Sequence, residues 1–91
     1  MGSSTIEQSV TSGTDSVYSH QVVLFNDSIN TFDHVEDCLV AICYKSNKEA
    51  KKITREAHEK GRAICFRGSL EECETVVEKL SQKNLTVSLE S

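Results

Sequence analysis

The chain lacks a basic surplus: ten Lys and Arg stand against fourteen Asp and Glu, a net charge of −4. Proteins that grip nucleic acid by its phosphates usually show the opposite balance, so no nucleic-acid partner is expected. Long apolar runs are also missing. None approaches the roughly eighteen residues of a membrane span, and the first residues show neither the basic nor the apolar region of a secretory leader. The expectation is a soluble, cytoplasmic protein without a membrane partner. No H-x3-H, H-E-x-x-H or C-x-x-C spacing occurs, so no metal site is expected. A Gly-rich phosphate loop is absent as well, and no cofactor is expected. The four cysteines, with no leader before them, read as reduced thiols rather than a disulfide framework.

What is present fits one domain of 91 residues and 10.1 kDa. Residues 1–20 hold six Ser, three Thr and two Gly, and after Met1 only Ile6, Val10, Val17 and Tyr18 are larger apolar groups. Such a segment buries too little surface to offset its ordering entropy, which predicts a disordered tail over 1–20 and a folded domain over 21–91.

Val22-Val23-Leu24-Phe25 is an unbroken apolar run, as in a central strand covered on both sides. Phe32, Val35, Leu39 and Ile42 then recur at helical spacing, with Thr31 as N-cap and Asp33 and Asp37 towards the helix N-terminus. Ser46-Asn47-Lys48-Glu49 reads as a capping box opening a second helix that buries Ala50, Ile53 and Ala57 and stops at Gly61. Ala63-Ile64-Cys65-Phe66 is a second strand ending at Gly68. Ser69-Leu70-Glu71-Glu72 caps a third helix with the stripe Cys73, Val76, Val77 and Leu80. Leu85, Val87 and Leu89 alternate with polar residues in a third strand.

The order β-α-α-β-α-β makes the first two strands antiparallel and the last two mutually parallel through a right-handed crossover. Both conditions hold if the first strand is central. The expected fold is α+β, a three-stranded antiparallel or mixed sheet with three helices on one face. With about 70 ordered residues its stability margin is expected to be a few kcal/mol.

Asn26-Asp27-Ser28-Ile29-Asn30-Thr31 follows the central strand. Its side chains suit Asx-turns and caps, and equally a cluster of oxygen acceptors for a cation or ammonium. His58, near the end of the second helix, reads by itself as a partner of the helix dipole. Cys38, Cys43, Cys65 and Cys73 occupy apolar slots and read as small core residues. A hydrolase built on Cys65, His58 and Asp27 is conceivable, but no nucleophile signature surrounds Cys65.

Taken together, the strand and turn Val22 to Ser28, the segment Asn30 to Val35, and Glu56-Ala57-His58-Glu59-Lys60-Gly61-Arg62-Ala63-Ile64-Cys65 resemble the ClpS adaptor family of the Clp ATP-dependent protease. Leu85 to Glu90 fits the family's closing strand, so the likeness spans Gln21 to Glu90. The resemblance implies recognition, not catalysis. Adaptors of this kind bind substrates by a large hydrophobic N-terminal residue (Leu, Phe, Tyr or Trp) and deliver them to a Clp AAA+ unfoldase, ClpA- or ClpC-like.

By the same resemblance Asn26 and His58 hold the substrate's α-amino group, with Asp27 and Ser28 beside them. Ser28 stands where the family usually has a second Asp. The side-chain pocket comprises Leu24, Asn30, Phe32, Val35, Thr54, Ala57 and Leu85. Asn30 replaces a usual Thr, Phe32 a Met, Ala57 a Val, and Thr54 a Met that gates the pocket. Thr54 reads either as a tolerated edge residue or as a sign of a roomier, less apolar pocket. Such changes shift discrimination by about 1–3 kcal/mol. Glu71 matches an acidic contact to the unfoldase, whereas Val76 replaces a basic one. The likeness implies a cytoplasmic protein, or a stromal one in a plastid-bearing host. The rival reading is an interaction domain like the C-terminal domain of the ribosomal stalk protein, which shares the element order.

Overall fold

The structure is a computed structural model that describes residues 18–91. The tail expected over 1–20 lies outside the described residues except for its last three. Of these, His20 already belongs to the fold, as the first residue of strand β1 (His20–Phe25). Helix α1 (Phe32–Cys43), helix α2 (Asn47–Lys60), strand β2 (Arg62–Gly68), helix α3 (Leu70–Gln82) and strand β3 (Val87–Glu90) complete the chain.

The sheet order is β2-β1-β3, with β1 central and antiparallel to both neighbours. Val22, Val23 and Leu24 are all buried, as the unbroken apolar run predicts. The β1–β2 register shifts between Val22, opposite Phe66, and Val23, opposite Ile64, which leaves Cys65 as the extra residue of a bulge. Leu39 of α1, Ala50 of α2, and Cys73 and Leu80 of α3 are fully buried with Val22 and Cys65 in one core. Leu89, expected to point inward, is 36% exposed near the end of an edge strand. Leu85 is buried but precedes that strand rather than opening it.

Local chemistry explains the helix ends. The Thr31 hydroxyl accepts the His34 N–H at 3.1 Å, and Ser69 with Glu72 makes the reciprocal capping box. At Ser46 the expected box is only half made. Its hydroxyl accepts the Glu49 N–H, while no return bond from the Glu49 carboxylate occurs among the described residues. Gly68 leaves room for the completed box: a Cβ there would stand 2.6 Å from Glu72 Oε1. Gly61 ends α2 at φ +91°, a left-handed conformation that suits glycine. Tyr44 takes the same role after α1 at φ 60°, an ending the sequence pattern does not announce.

Among the described residues no helix is long and apolar enough to cross a membrane.

Candidate functional site

The end of β1, the start of α1 and the C-terminal half of α2 meet around a cleft. Its volume is about 310 Å³ counting the open mouth. Most of that is the mouth: the space inside is about 20 Å³, room for roughly one water, so the cleft is a shallow recess and a side chain would sit largely in its opening. Leu24 and Phe25 come from β1; Asn26, Asp27 and Asn30 from the turn; Phe32 and Val35 from α1; Thr54 and Ala57 from α2.

Asn26 is fixed to the end of α2: its N–H donates to the Gly61 carbonyl at 3.0 Å. The Gly61 N–H in turn donates to the Ala57 carbonyl at 2.9 Å. Residues far apart in sequence are thereby locked together, with the Asn26 side chain exposed to solvent. His58 is exposed and does not line the cleft itself. Its ring meets that of Phe32 edge-on, with centroids 5.1 Å apart and planes at 72°. Phe32, expected on the core-facing stripe of α1, is instead 43% exposed and serves as a wall between cleft and histidine.

Asp27 organises the turn. Its Oδ1 accepts the Ile29 N–H at 3.1 Å and the Asn30 N–H at 2.9 Å. The Asn30 side-chain amide donates to Oδ1 and Oδ2 at 3.1 and 2.9 Å, and the Thr86 hydroxyl to Oδ2 at 3.4 Å. Burial by itself raises the carboxyl's pKa, but these bonds from Asn30, Ile29 and Thr86 outweigh it and hold the value below normal. The turn therefore keeps a negative charge beside the cleft. Ser28 is exposed and lines no part of it.

Asn30 also donates to the Asn84 carbonyl at 2.9 Å, tying the turn to the loop before β3. Thr54 is buried, and its hydroxyl donates to the Ala50 carbonyl at 2.8 Å. Its proton is spent within its own helix, so Thr54 offers the cleft no hydroxyl donor. Leu85, expected as a wall, is buried in the core and is not among the residues that line the cleft. Phe25 is the lining residue that the sequence reading missed. The Arg62 guanidinium lies 5.7 Å from its ring centroid. Only the position of Phe25 at the end of the apolar run hinted that it would reach the turn.

The cysteines Cys38, Cys43, Cys65 and Cys73 are free and buried. The neighbouring Cys43 thiol, together with burial, pushes the Cys65 thiol well above its ordinary pKa. A thiol of that kind is a core residue and a poor nucleophile, which removes the basis for a cysteine hydrolase. Among the described residues no group of His, Cys, Asp and Glu could hold a metal ion. Glu71 is exposed on the first turn of α3 and borders a separate groove with Ile42, Tyr44, Phe66 and Lys79. Val76 is buried, so its apolar character serves the core.

Comparison with known proteins gives a consistent answer. The family described as ATP-dependent Clp protease adaptor protein ClpS matches residues 16–88. The chain is similar to the ATP-dependent Clp protease adapter protein ClpS of Thermosynechococcus vestitus, with 34% identity over 71 residues, 77% of this chain and 76% of that one. It is 35% identical to the Synechocystis protein of the same name over 69 residues, 75% of this chain and 70% of the relative. Among solved structures, Agrobacterium tumefaciens ClpS2 bound to L-phenylalaninamide shares the fold. Its TM-score is 0.72 at 22% identity, covering 78% of this chain and 93% of that one. With the family matched over residues 16–88 and a relative 34% identical over most of both chains, the chain belongs to the ClpS family of adaptor proteins of the ATP-dependent Clp protease.

Proposed function

We propose that the cleft binds the N-terminal residue of substrate proteins, so that the adaptor hands them to a Clp AAA+ unfoldase. The observation that carries this reading is the composition of one small cleft: apolar walls from Leu24, Phe32, Val35 and Ala57, with Asn26 and ionised Asp27 on the same turn. A free α-amino group is a compact cation with three donors, and it requires acceptors and a negative field. Asn26 and His58 supply the acceptors, and Asp27 supplies the field. The fold shared with Agrobacterium ClpS2 supports the reading, because L-phenylalaninamide pairs a free amine with an aromatic side chain.

The side chains received are Leu, Phe, Tyr and Trp. Glu71 marks the face that meets a ClpA- or ClpC-like unfoldase, on a groove separate from the cleft. The role is binding rather than catalysis, exercised in the cytoplasm or, in a plastid-bearing host, the stroma. Family membership and the cleft favour this reading over a ribosomal-stalk-like interaction domain, which calls for no amine site.

A titration of peptides differing only in residue one tests it. Leu, Phe, Tyr and Trp peptides should bind at least tenfold tighter than Ala or Asp peptides. Equal affinity across the panel would overturn the reading.

A further inference from the structure

The Asn30 amide has a fixed orientation. Its nitrogen faces the Asp27 carboxylate, at 3.1 and 2.9 Å, and the Asn84 carbonyl, at 2.9 Å. Both of those groups are acceptors only, so the side that meets them must be the NH2, and its two protons are thereby used. The backbone N–H of Asn30 is taken as well, by Asp27 Oδ1 at 2.9 Å. What remains is Oδ1 on the opposite edge of a planar amide, with no hydrogen-bond partner among the described residues, on a side chain that lines the cleft.

The rest of the cleft sharpens the point. Leu24, Phe25, Phe32, Val35 and Ala57 are apolar; Thr54, whose proton goes to the Ala50 carbonyl, keeps only acceptor capacity, and the Asp27 oxygens already accept from Asn30, Ile29 and Thr86. We propose that Asn30 Oδ1 is a specificity acceptor, so that the cleft prefers a first residue whose side chain carries a hydrogen-bond donor, tyrosine above phenylalanine. The inference rests on the reading of the cleft as a first-residue site. A phenyl ring strips water from Oδ1 and returns nothing, whereas a phenol donates its O–H. One neutral hydrogen bond of this kind corresponds to about three- to tenfold in affinity.

The decisive experiment uses the full chain and three peptides that differ only at residue one: Phe, Tyr and 4-fluorophenylalanine. The fluoro ring adds size and polarity at the same carbon without a donor. Tyr should bind about three- to tenfold tighter than Phe, with 4-fluorophenylalanine close to Phe. In Asn30→Leu the Tyr advantage should fall to unity. Absolute affinities fall together there because the Asp27 turn loosens, and the ratio is therefore the readout. Should Asn30→Leu fail to fold, the three peptides on the unaltered chain decide alone. Phe binding as tightly as Tyr would overturn the assignment while leaving the first-residue reading intact. A Tyr advantage that survives in folded Asn30→Leu would overturn it too. Failure of all three peptides to bind would overturn both.

Discussion

Phe32 and His58 meet edge to face at 5.1 Å, and this contact joins an apolar wall of the cleft to the imidazole beside it. The first residue of α1 thereby braces a side chain near the end of α2, across the cleft mouth. On the function proposed above, the imidazole accepts a bond from an ammonium, which requires its ring to be held in place, and the Phe32 contact supplies that restraint.

His58→Ala is therefore expected to weaken binding of a Leu- or Phe-initiated peptide by about 1.5–3 kcal/mol, the range for a hydrogen bond to a charged group. Phe32→Ala should weaken it as well, and the double variant should lose less than the sum of the two. Calorimetric titration of the four proteins gives the coupling. Strict additivity would make the ring contact incidental.

Gly61 joins stability to the site, because its carbonyl holds the Asn26 N–H. A Cβ at Gly61 would meet nothing within 4 Å, so the cost of Gly61→Ala is purely that of the left-handed backbone. That cost is about 1–2 kcal/mol, read by urea denaturation, and peptide affinity should fall with it. Gly61→Asn, which tolerates this conformation better, should recover part of both losses.

The Asp27 carboxyl has a folded-state pKa below its ordinary value of 3.8, so its contribution to stability has a definite sign. The contribution is present above 3.8 and is lost as pH falls through the lower folded-state value. Asp27→Asn should be the less stable protein at pH 7, and the gap should narrow as pH drops below 3.8. Denaturation midpoints across that range check it. A gap that widens in acid would contradict the hydrogen-bonded turn.

Much of this organisation is readable from sequence for physical reasons. The unbroken run Val22 to Leu24 reports a central strand because no position in it faces water. Thr31, Ser69 and Gly61 report helix ends because few residue types satisfy those backbone positions. The site is less so. Residue likeness singled out Asn26, Asn30 and Thr54, but not that Asn30 bonds the Asn84 carbonyl 54 residues away. Nor did it show that Thr54 spends its proton on Ala50. Hydrogen bonds between distant loops leave no periodic trace. Edge strands are equally hard: Leu89 keeps the alternation of a half-buried strand, yet cover runs out near the strand's end.

Thr54 offers a test of the pocket's width. Thr54→Met extends an unbranched side chain from a buried position on the cleft wall. Selection against Ile and Val at the first position should sharpen by about 1–3 kcal/mol relative to Leu, read as the ratio of affinities. An unchanged ratio would make Thr54 a packing residue only.

The central claim is that the cleft recognises a free, charged N-terminus, and acetylation isolates that feature. Two peptides of one sequence beginning with Leu, one free and one Nα-acetylated, should be titrated against the full chain at neutral pH. Acetylation removes the charge and two of the three donors while leaving the side chain intact. The free peptide should bind measurably, and the acetylated one at least about a hundredfold more weakly. Equal affinity for the two would contradict it.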